Sequence, residues 1–361
     1  VRCADRHIVC VCIQTFRIQN GQAGVDSSGC SLPTPYRTIF SVGVKGFICL
    51  ILTFSMILYL GKLVRPTDTD DDFLAIRTFH ELPEDSVDVI VYGSSHAWKG
   101  MNVKKMYEEY GIGAYNYATN WQKINTSALF IHDSLRTQSP KIALIETVFV
   151  DDPKMDSDLD GEIYYTKAIP YSSAKASYLK QCFGDHLGRY VSYYLPLVAF
   201  HENRENLTEY SFREGLQWYF DFKSTMGYRS SDIVNPVVLS DWTSFEQKSL
   251  SEESLNILND IVATCHESGM DVVFYTAPYE GEYCYSDAMA QYAAENGCSY
   301  IDFFKLVDEI GIDPDSDFQD AGHLNTSGST KLAAYMGAYL HEHFELPDRR
   351  LEEDNMWEIG F

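Results

Sequence analysis

Short apolar segments alternate with amphipathic segments along much of the chain. Short apolar runs have the length of strands, and apolar positions at intervals of three or four residues predict helices. The run Lys141–Val150 is mostly apolar without strict alternation, as expected for a strand buried on both faces of a parallel sheet. Repeated strand–helix units predict an α/β fold with a parallel, doubly wound sheet between two layers of helices. The predicted strands are 87–92, 114–118, 141–150, 271–277 and 299–303, and the predicted helices are 104–110, 124–137, 250–268, 286–296 and 326–344.

The longest apolar run, Gly46–Leu60, predicts a membrane anchor. Extended to residues 39–64 it is long enough to cross a bilayer, and Lys45 and Lys62 near its ends can reach the interface. A buried core helix is the alternative, but such a helix normally carries a polar stripe, and this segment has none. Because no good cleavage site follows, we interpret the run as a single transmembrane helix. Basic residues flank both ends and do not decide its orientation.

The other parts of the chain follow from composition and spacing. Residues 1–38 lack a strong hydrophobic period and are either a disordered cytoplasmic tail or an extension upstream of the true start codon. We expect a linker at 65–84, a globular domain at 85–345 and a C-terminal tail at 346–361. The strand–helix alternation is interrupted between about 151 and 250. Because this stretch is too long for a plain loop, it predicts a partly helical insertion or lid.

The insertion is rich in aromatic residues. Aromatic rings can stack on the faces of sugars, but packing in a core is the more common role and the one we favour. His201 and Arg204 in the same segment are candidates for contacts with an anionic or hydroxylated glycan, and a solvated helix face is the alternative. The aromatic residues considered are Tyr164, Tyr165, Tyr171, Tyr193, Tyr194, Trp218, Tyr219 and Phe220.

Charge and cysteine content exclude several classes of protein. The chain of 361 residues has a net charge of -24, which argues against a nucleic-acid-binding protein because such proteins need a basic surface. Its nine cysteines follow no zinc-like spacing, so we predict no metal site and no disulfide framework. Cys284 and Cys298 can pair in an oxidising compartment, although single buried thiols are the preferred interpretation.

Two short motifs carry the candidate chemistry. Ser95 follows the first predicted strand within Gly-Ser-Ser-His, and Asp320-x-x-His323 precedes the last predicted helix. A serine hydroxyl is a weak nucleophile until a base takes its proton, and a histidine oriented by a carboxylate can be that base. Each motif alone is also an ordinary turn or helix cap. Together, at the carboxyl edge of a parallel sheet, they predict a catalytic triad, with a structural or substrate-contacting role for the neighbouring His96.

These motifs resemble those of the SGNH/GDSL family of serine hydrolases over roughly residues 85–345. The family's first block is a Gly-Asp-Ser or Gly-x-Ser turn, to whose serine Ser95 corresponds. Its last block is Asp-x-x-His, which matches Asp320 and His323, and the longer Asp-x-x-His-Leu-Asn-x-x-Gly is similar to a version common in bacterial cell-envelope members. Those members include membrane-anchored proteins that acylate or deacylate surface polysaccharides, and relatives of the protein that transfers D-alanine to teichoic acids.

The resemblance implies a three-layer α/β/α fold and an extracytoplasmic catalytic domain on a single-pass anchor. It also implies a serine esterase or O-acyltransferase that acts on acyl esters, most simply acetyl esters, of cell-envelope glycans, without a cofactor. A membrane acyltransferase partner that supplies acyl groups is expected if the reaction is a transfer. The alternative is a catalytically inactive member of the same fold that binds glycans or assists envelope assembly.

Two departures from the family pattern concern the oxyanion hole. Residues 116–122 align with the family's second block, and Trp121 stands where that block has a glycine whose N–H stabilises the oxyanion. The third block normally supplies an asparagine side chain, but the third predicted strand continues through Glu146 without one. We therefore expect a two-donor hole formed by the N–H groups of Ser95 and Trp121, with Asn120 as a candidate substitute for the missing amide.

Overall fold

The computed structural model describes residues 34–64, 70–152, 165–195, 197–198, 201–206, 225–352 and 356–357. The predictions for residues 1–33, and those for Tyr164, Trp218, Tyr219 and Phe220, lie outside the described residues. The chain divides into two compact units, residues 1–56 and residues 57–361.

A single helix, α1 (Thr34–Val64), contains the long apolar run. Its segment Val42–Gly61 has a mean hydropathy of 2.0 and 0% of it is buried. The side chains of Phe47, Leu50 and Leu52 are more than half exposed. By length and composition this helix is able to cross a membrane, whereas a core helix of a globular domain would be covered by neighbouring side chains.

Five parallel strands form the central sheet. In chain order they are β1 (Val89–Tyr92), β2 (Ala114–Asn116), β3 (Ile142–Glu146), β4 (Asp271–Thr276) and β5 (Ser299–Asp302). They lie in the order β2-β1-β3-β4-β5, so the direction of chain winding reverses between β1 and β3. Every residue of β1, β2 and β3 is buried, which agrees with the mostly apolar sequences of β1 and β3. The predicted α/β class with a parallel sheet is confirmed.

Helices connect the strands. They are α2 (Asp70–Phe79), α3 (Ser95–Gly100), α4 (Val103–Tyr110), α5 (Ile124–Ser134), α6 (Ser173–Phe183), α7 (Leu187–Tyr194), α8 (Glu252–Glu267), α9 (Ser286–Glu295), α10 (Val307–Ile310) and α11 (Thr326–His343). Helix α11 packs against α3 and α4, while α5 packs against α6 and α8. Helix α4 ends at Gly111, which has a left-handed φ of 70°, a backbone conformation common for glycine at the end of a helix.

The third strand ends earlier than its apolar run predicts. β3 stops at Glu146, and the chain then turns, with the N–H of Val150 donating to the carbonyl of Thr147. Val150 is buried in this turn, which explains why the apolar run continues beyond the strand. The end of β3 therefore brings the carboxyl group of Glu146 to the same edge of the sheet as the turn after β1.

The expected linker at 65–84 contains a helix of the domain. Within α2, Ile76 and Phe79 are fully buried in the core, and Phe79 stacks on Tyr117 with ring centroids 4.1 Å apart. The prediction is corrected here, because the acidic residues at the start of α2 obscured the apolar face that follows them. Even the acidic Asp72 is buried. The compact domain therefore begins well before residue 85.

The expected C-terminal tail, residues 346–361, packs against the domain in its described part. Trp357 is only 1% exposed and stacks on Tyr107 with ring centroids 6.2 Å apart. Arg349 donates hydrogen bonds of 2.6 and 2.7 Å to both carboxylate oxygens of Asp88, just before β1. The prediction of a tail is corrected, because two isolated residues without a hydrophobic period gave no sign of these distant partners.

A two-stranded antiparallel hairpin carries the Asp-x-x-His motif. Its strands are β6 (Phe318–Asp320) and β7 (His323–Leu324), which lead directly into α11. The end of the insertion supports this hairpin: Asn235 donates its N–H to the carbonyl of Phe318 at 2.9 Å, and Thr326 donates its N–H to the carbonyl of Ser231 at 2.8 Å. Asn325 caps α11 through its side-chain oxygen, which accepts the N–H groups of Ser327 and Gly328.

The described part of the insertion is partly helical. It contains α6, α7 and short 3-10 turns at Thr166–Ala168, His201–Asn206 and Trp242–Ser244. Of its aromatic residues, Tyr165 and Tyr193 are buried, whereas Tyr171 and Tyr194 are exposed. Packing therefore accounts for some of the aromatic content but not all of it.

Candidate functional site

The turn after β1 places Ser95 at the first residue of α3. Gly93 has a φ of 144°, and a Cβ added there would lie 2.5 Å from the Cβ of Glu146, so glycine is required at this position. Ser94 is the N-cap of α3, and its hydroxyl accepts the N–H of His96 at 3.3 Å. The glycine and the cap together fix the position of Ser95 at the edge of the sheet where the chain winding reverses.

The structure brings Ser95, His323 and Asp320 together in one hydrogen-bonded chain. The Oγ of Ser95 lies 2.7 Å from Nε2 of His323, across a separation of 228 residues in the sequence. The Nδ1 of His323 lies 2.7 Å from Oδ1 of Asp320. Because the carboxylate accepts the Nδ1 hydrogen, Nε2 keeps its lone pair and accepts the hydrogen of the Ser95 hydroxyl. This is the arrangement of a nucleophile, a base and an orienting carboxylate.

The protonation states of these residues suit base catalysis. Burial lowers the pKa of His323 below its ordinary value, although the nearby Asp320 opposes this shift. Burial raises the pKa of Asp320, but hydrogen bonds from Gln319, Gly322 and His323 outweigh that effect and hold the pKa below its ordinary value. Near pH 7, Asp320 is therefore ionised and His323 is neutral, so Nε2 can accept a proton.

A buried carboxyl group lies directly beneath the nucleophile turn. Glu146 is 4% exposed and accepts hydrogen bonds from the hydroxyl of Ser94 at 2.8 Å and from its backbone N–H at 3.3 Å. The N–H of Val148 donates to the second carboxyl oxygen. Burial raises the pKa of Glu146 from 4.5 to about 7 despite these hydrogen bonds. The signal that sequence reasoning missed is an ionisable residue at the end of a central apolar strand.

The raised pKa of Glu146 predicts a pH-dependent contribution to stability. Between pH 4.5 and 7 the unfolded chain ionises this group while the folded protein keeps it protonated, so the free energy of unfolding falls as pH rises through that window and levels off above it. In Glu146→Gln the side chain has no proton to lose in this range. The stability of Glu146→Gln relative to the wild type should therefore increase by up to about 3 kcal/mol between pH 5 and pH 8.

Urea unfolding of both proteins at the two pH values, followed by circular dichroism, measures this difference. Glu267→Gln is the matched control, because Glu267 is exposed near the end of α8. The control should show no such change between the two pH values. An equal stability difference between Glu146→Gln and the wild type at both pH values would contradict the shift.

His96 lies between the triad and the N-cap. Its Nδ1 is 3.0 Å from Oγ of Ser94, and its ring centroid is 5.3 Å from that of His323. Burial, with a further contribution from His323, lowers the pKa of His96 to about 3, so its imidazole is neutral. The imidazole of His96 therefore contacts the nucleophile turn through Nδ1 and lies beside the triad residue His323.

The side-chain amide of Asn120, the predicted substitute for an oxyanion donor, is bound to Asp72. Its backbone N–H donates to Oδ1 of Asp72 at 2.9 Å, and its side-chain amide donates to Oδ2 of Asp72 at 3.3 Å. This amide joins its loop to helix α2, and the role of Asn120 as an oxyanion donor stays a prediction. No local feature of the sequence indicates this partner, because Asp72 lies in the segment predicted to be a linker.

Trp121 has a backbone conformation that glycine adopts more easily than other residues. Its φ is 55°, in the left-handed region. Its side chain is 62% exposed and lies near Phe149, with ring centroids 5.5 Å apart. Phe149 in turn lies 6.1 Å from the ring of His96, so the indole stands close to the site. The left-handed backbone is thus kept although the residue is not glycine.

This backbone predicts an unusual order of stability between two variants. Trp121→Gly and Trp121→Ala both remove the indole and its contact with Phe149, but only alanine retains the Cβ that opposes a left-handed φ. We expect Trp121→Gly to be more stable than Trp121→Ala by about 1 kcal/mol, which chemical denaturation measures. Equal stability, or the opposite order, would show that this φ carries no cost.

His201 and Arg204 lie on the exposed 3-10 turn of the insertion. Arg204 donates to the carbonyl of His201 at 3.2 Å and lies 3.5 Å from the carboxylate of Glu205. Such local contacts agree with the solvated-face interpretation. Within the described ranges, no three His, Cys, Asp or Glu side chains form a candidate metal-binding group, and Cys284 and Cys298 are free thiols.

Comparison with known proteins assigns no family to the chain. No protein-family model matches it, and no curated protein matches it. Its function is therefore inferred from the geometry of the site.

Proposed function

We propose that this protein is a serine esterase or O-acyltransferase of the SGNH type that acts through Ser95, His323 and Asp320. The observation that carries the proposal is the pair of 2.7 Å contacts from Ser95 to His323 and from His323 to Asp320. If the Gly-Ser-Ser segment were only a turn and Asp-x-x-His only a helix cap, neither contact would be needed. The carboxylate fixes the tautomer of His323, and the half-buried hydroxyl of Ser95 lies at the lone pair of Nε2.

In the proposed reaction, Oγ of Ser95 attacks the carbonyl carbon of an acyl ester while Nε2 of His323 takes the hydroxyl proton. The bond from the carbonyl carbon to the alcohol oxygen then breaks, and His323 returns the proton to that oxygen. The acyl group remains on Ser95. Water or a second hydroxyl attacks it, again with His323 as the base, and the serine is regenerated. Asp320 stays ionised throughout and stabilises the imidazolium.

The N–H groups of Ser95 and Trp121 are the proposed donors to the oxyanion. Among the described residues, neither N–H has an assigned protein acceptor. The N–H of Thr119 donates to the carbonyl of Gly93 at 3.2 Å, which ties the loop of Trp121 to the nucleophile turn. The left-handed φ of Trp121 supports its correspondence to the glycine of the SGNH second block.

The topology supports a three-layer arrangement of this type. Crossovers between parallel strands are almost always right-handed, so a connection from β1 to β2 and connections from β3 through β4 to β5 should lie on opposite faces of the sheet. The packing of α4 with α11, and of α5 with α8, agrees with two helix layers. Ser95 follows β1 and Glu146 is the last residue of β3, and the winding reverses between these two strands, where doubly wound proteins place their sites.

The apolar helix and the exposed indole favour envelope glycans as substrates. We propose that α1 is a single-pass anchor and that the catalytic domain lies on the extracytoplasmic side of the membrane. Trp121 offers a face on which a sugar ring can stack. The substrates would then be acyl esters of cell-envelope glycans, most simply acetyl esters. For transfer to a glycan hydroxyl, a membrane acyltransferase would supply the acyl group.

Labelling with a fluorophosphonate tests this proposal on the full chain in detergent. The wild type should react at Ser95, whereas Ser95→Ala lacks the nucleophile and His323→Ala lacks the base, so both should lose labelling. His201→Ala is the matched histidine control and should label like the wild type, because His201 is exposed on the insertion. A folded wild type that fails to label would instead favour an inactive glycan-binding or assembly protein.

A further inference from the structure

The Nε2 atom of His96 faces the site without a protein partner. Within the described residues Nε2 has no assigned hydrogen bond, and the His96 side chain is only partly covered by its neighbours. It lies 3.8 Å from the position that a Cβ on Gly322 would take, between the two triad residues of the hairpin. The mechanism described above uses His323 and leaves this second imidazole nitrogen without a role.

The hydrogen bonds behind His96 determine which of its nitrogens carries the proton. Above pH 7, where Glu146 is ionised, its carboxylate can only accept, so the hydroxyl of Ser94 donates to it at 2.8 Å. The Oγ of Ser94 then accepts from its other neighbours, namely the backbone N–H of His96 at 3.3 Å and Nδ1 of His96 at 3.0 Å. Because the imidazole is neutral, a hydrogen on Nδ1 leaves Nε2 with a lone pair.

We propose that His96 is a substrate-binding residue, held by Ser94 and Glu146 as the Nδ1–H tautomer, whose Nε2 accepts a hydrogen bond from a hydroxyl next to the esterified oxygen. The substrate class is therefore an ester of a vicinal diol, as in a sugar ring. The inference rests on the proposed esterase or transferase function and names the alcohol that this site prefers.

Two hydroxyl groups are required because the two imidazoles have different tasks. The oxygen that gains or loses the acyl group exchanges its proton with Nε2 of His323, so its single hydrogen is not available to His96. A neighbouring hydroxyl can donate to His96 at the same time, since the two rings are 5.3 Å apart and tilted by 36°. A simple alcohol leaves Nε2 of His96 without this partner.

The tautomer is measurable without any substrate. The full chain is labelled with nitrogen-15 histidine and held at pH 8.5. Long-range proton–nitrogen correlation spectra should then show that the imidazole N–H hydrogen of His96 is on Nδ1. Glu146→Gln should shift the population toward the Nε2–H tautomer, because the single amide oxygen cannot accept the N–H of Val148 and both donors of Ser94 together. In the orientation whose NH₂ faces Ser94, the Ser94 hydroxyl is free to donate to Nδ1. A wild type with the hydrogen on Nε2 would overturn the proposal.

Substrate preference provides the second test. The measured quantity is kcat/KM for 2-hydroxycyclohexyl acetate divided by kcat/KM for cyclohexyl acetate. This ratio is corrected for intrinsic reactivity by dividing it by the ratio of the rate constants of the same two esters with hydroxide. The corrected ratio should be about 10 in the wild type. In His96→Asn the amide can replace Nδ1 at Ser94 but not Nε2, so the ratio should fall to about 1. In His96→Gln the amide reaches the position of Nε2, and most of the preference should return.

The outcomes separate this inference from the proposed function. If the wild type labels with fluorophosphonate but its preference for the hydroxy ester is absent, or is unchanged in His96→Asn, the role of His96 is wrong and the serine hydrolase stands. If a folded wild type does not label at all, the proposed function itself fails, whatever tautomer His96 adopts.

Discussion

Ser95→Ala and His323→Ala are each expected to lower kcat/KM for an activated acetyl ester by roughly 10⁴-fold or more. The reason is the continuous chain of 2.7 Å contacts, in which the hydroxyl is nucleophilic only while Nε2 of His323 can take its proton. Because the two residues act as one unit, the double variant should be no slower than either single variant. Initial rates of 4-nitrophenyl acetate hydrolysis by purified full chain measure these losses.

Asp320→Asn supplies a graded comparison. It keeps the shape of the side chain but removes the charge that holds the Nδ1 hydrogen, so it should lose less activity than Ser95→Ala while still losing most of it. The carboxylate is 47% exposed, which allows water to take over part of its role. Wild-type rates in both alanine variants would show that the observed ester hydrolysis does not use this triad.

Trp357→Ala is expected to lower the free energy of unfolding by about 3–5 kcal/mol, as large-to-small changes of buried aromatic residues do. Trp357 is 1% exposed, and its ring also lies 2.9 Å from the position that a Cβ on Gly113 would take. Removing the indole would open a cavity between the C-terminal segment, α4 and the start of β2. Urea denaturation followed by far-UV circular dichroism measures this loss.

The matched control is Leu351→Ala in the same segment. Leu351 is 82% exposed, so its truncation should change the free energy of unfolding by less than about 0.5 kcal/mol. A small effect at both positions would mean that the C-terminal segment contributes little to the stability of the domain.

The sequence predicts the central elements well because their signals are local. Apolar runs identify the buried strands, Gly111 marks the end of a helix, and Asn325 marks the start of another. Ser95 and His323 are identifiable because their motifs follow a strand and precede a helix at positions that a parallel sheet brings to one edge.

The features that sequence reasoning misses depend on contacts between distant residues. No local sequence pattern relates Asn120 to Asp72, which is 48 residues away, so the sequence alone does not show that the asparagine amide donates to this carboxylate. Glu146 is hidden for another reason: a single carboxyl at the end of an apolar run gains its meaning only when the neighbouring strand places Ser94 above it. The left-handed φ of Trp121 is also not predicted from the sequence, because conformational propensities do not favour a positive φ for tryptophan.

Residues 226–235, in the later part of the insertion, limit how this protein can be re-engineered. The carbonyl of Met226 accepts the N–H of Asn116 at the end of β2, and Ser231 and Asn235 bond the hairpin and the first turn of α11. A chimera that takes a foreign insertion to change substrate scope should therefore be joined before residue 225. A junction placed later would remove the support of the hairpin that holds His323, and the graft would lose activity for reasons unrelated to its new substrate.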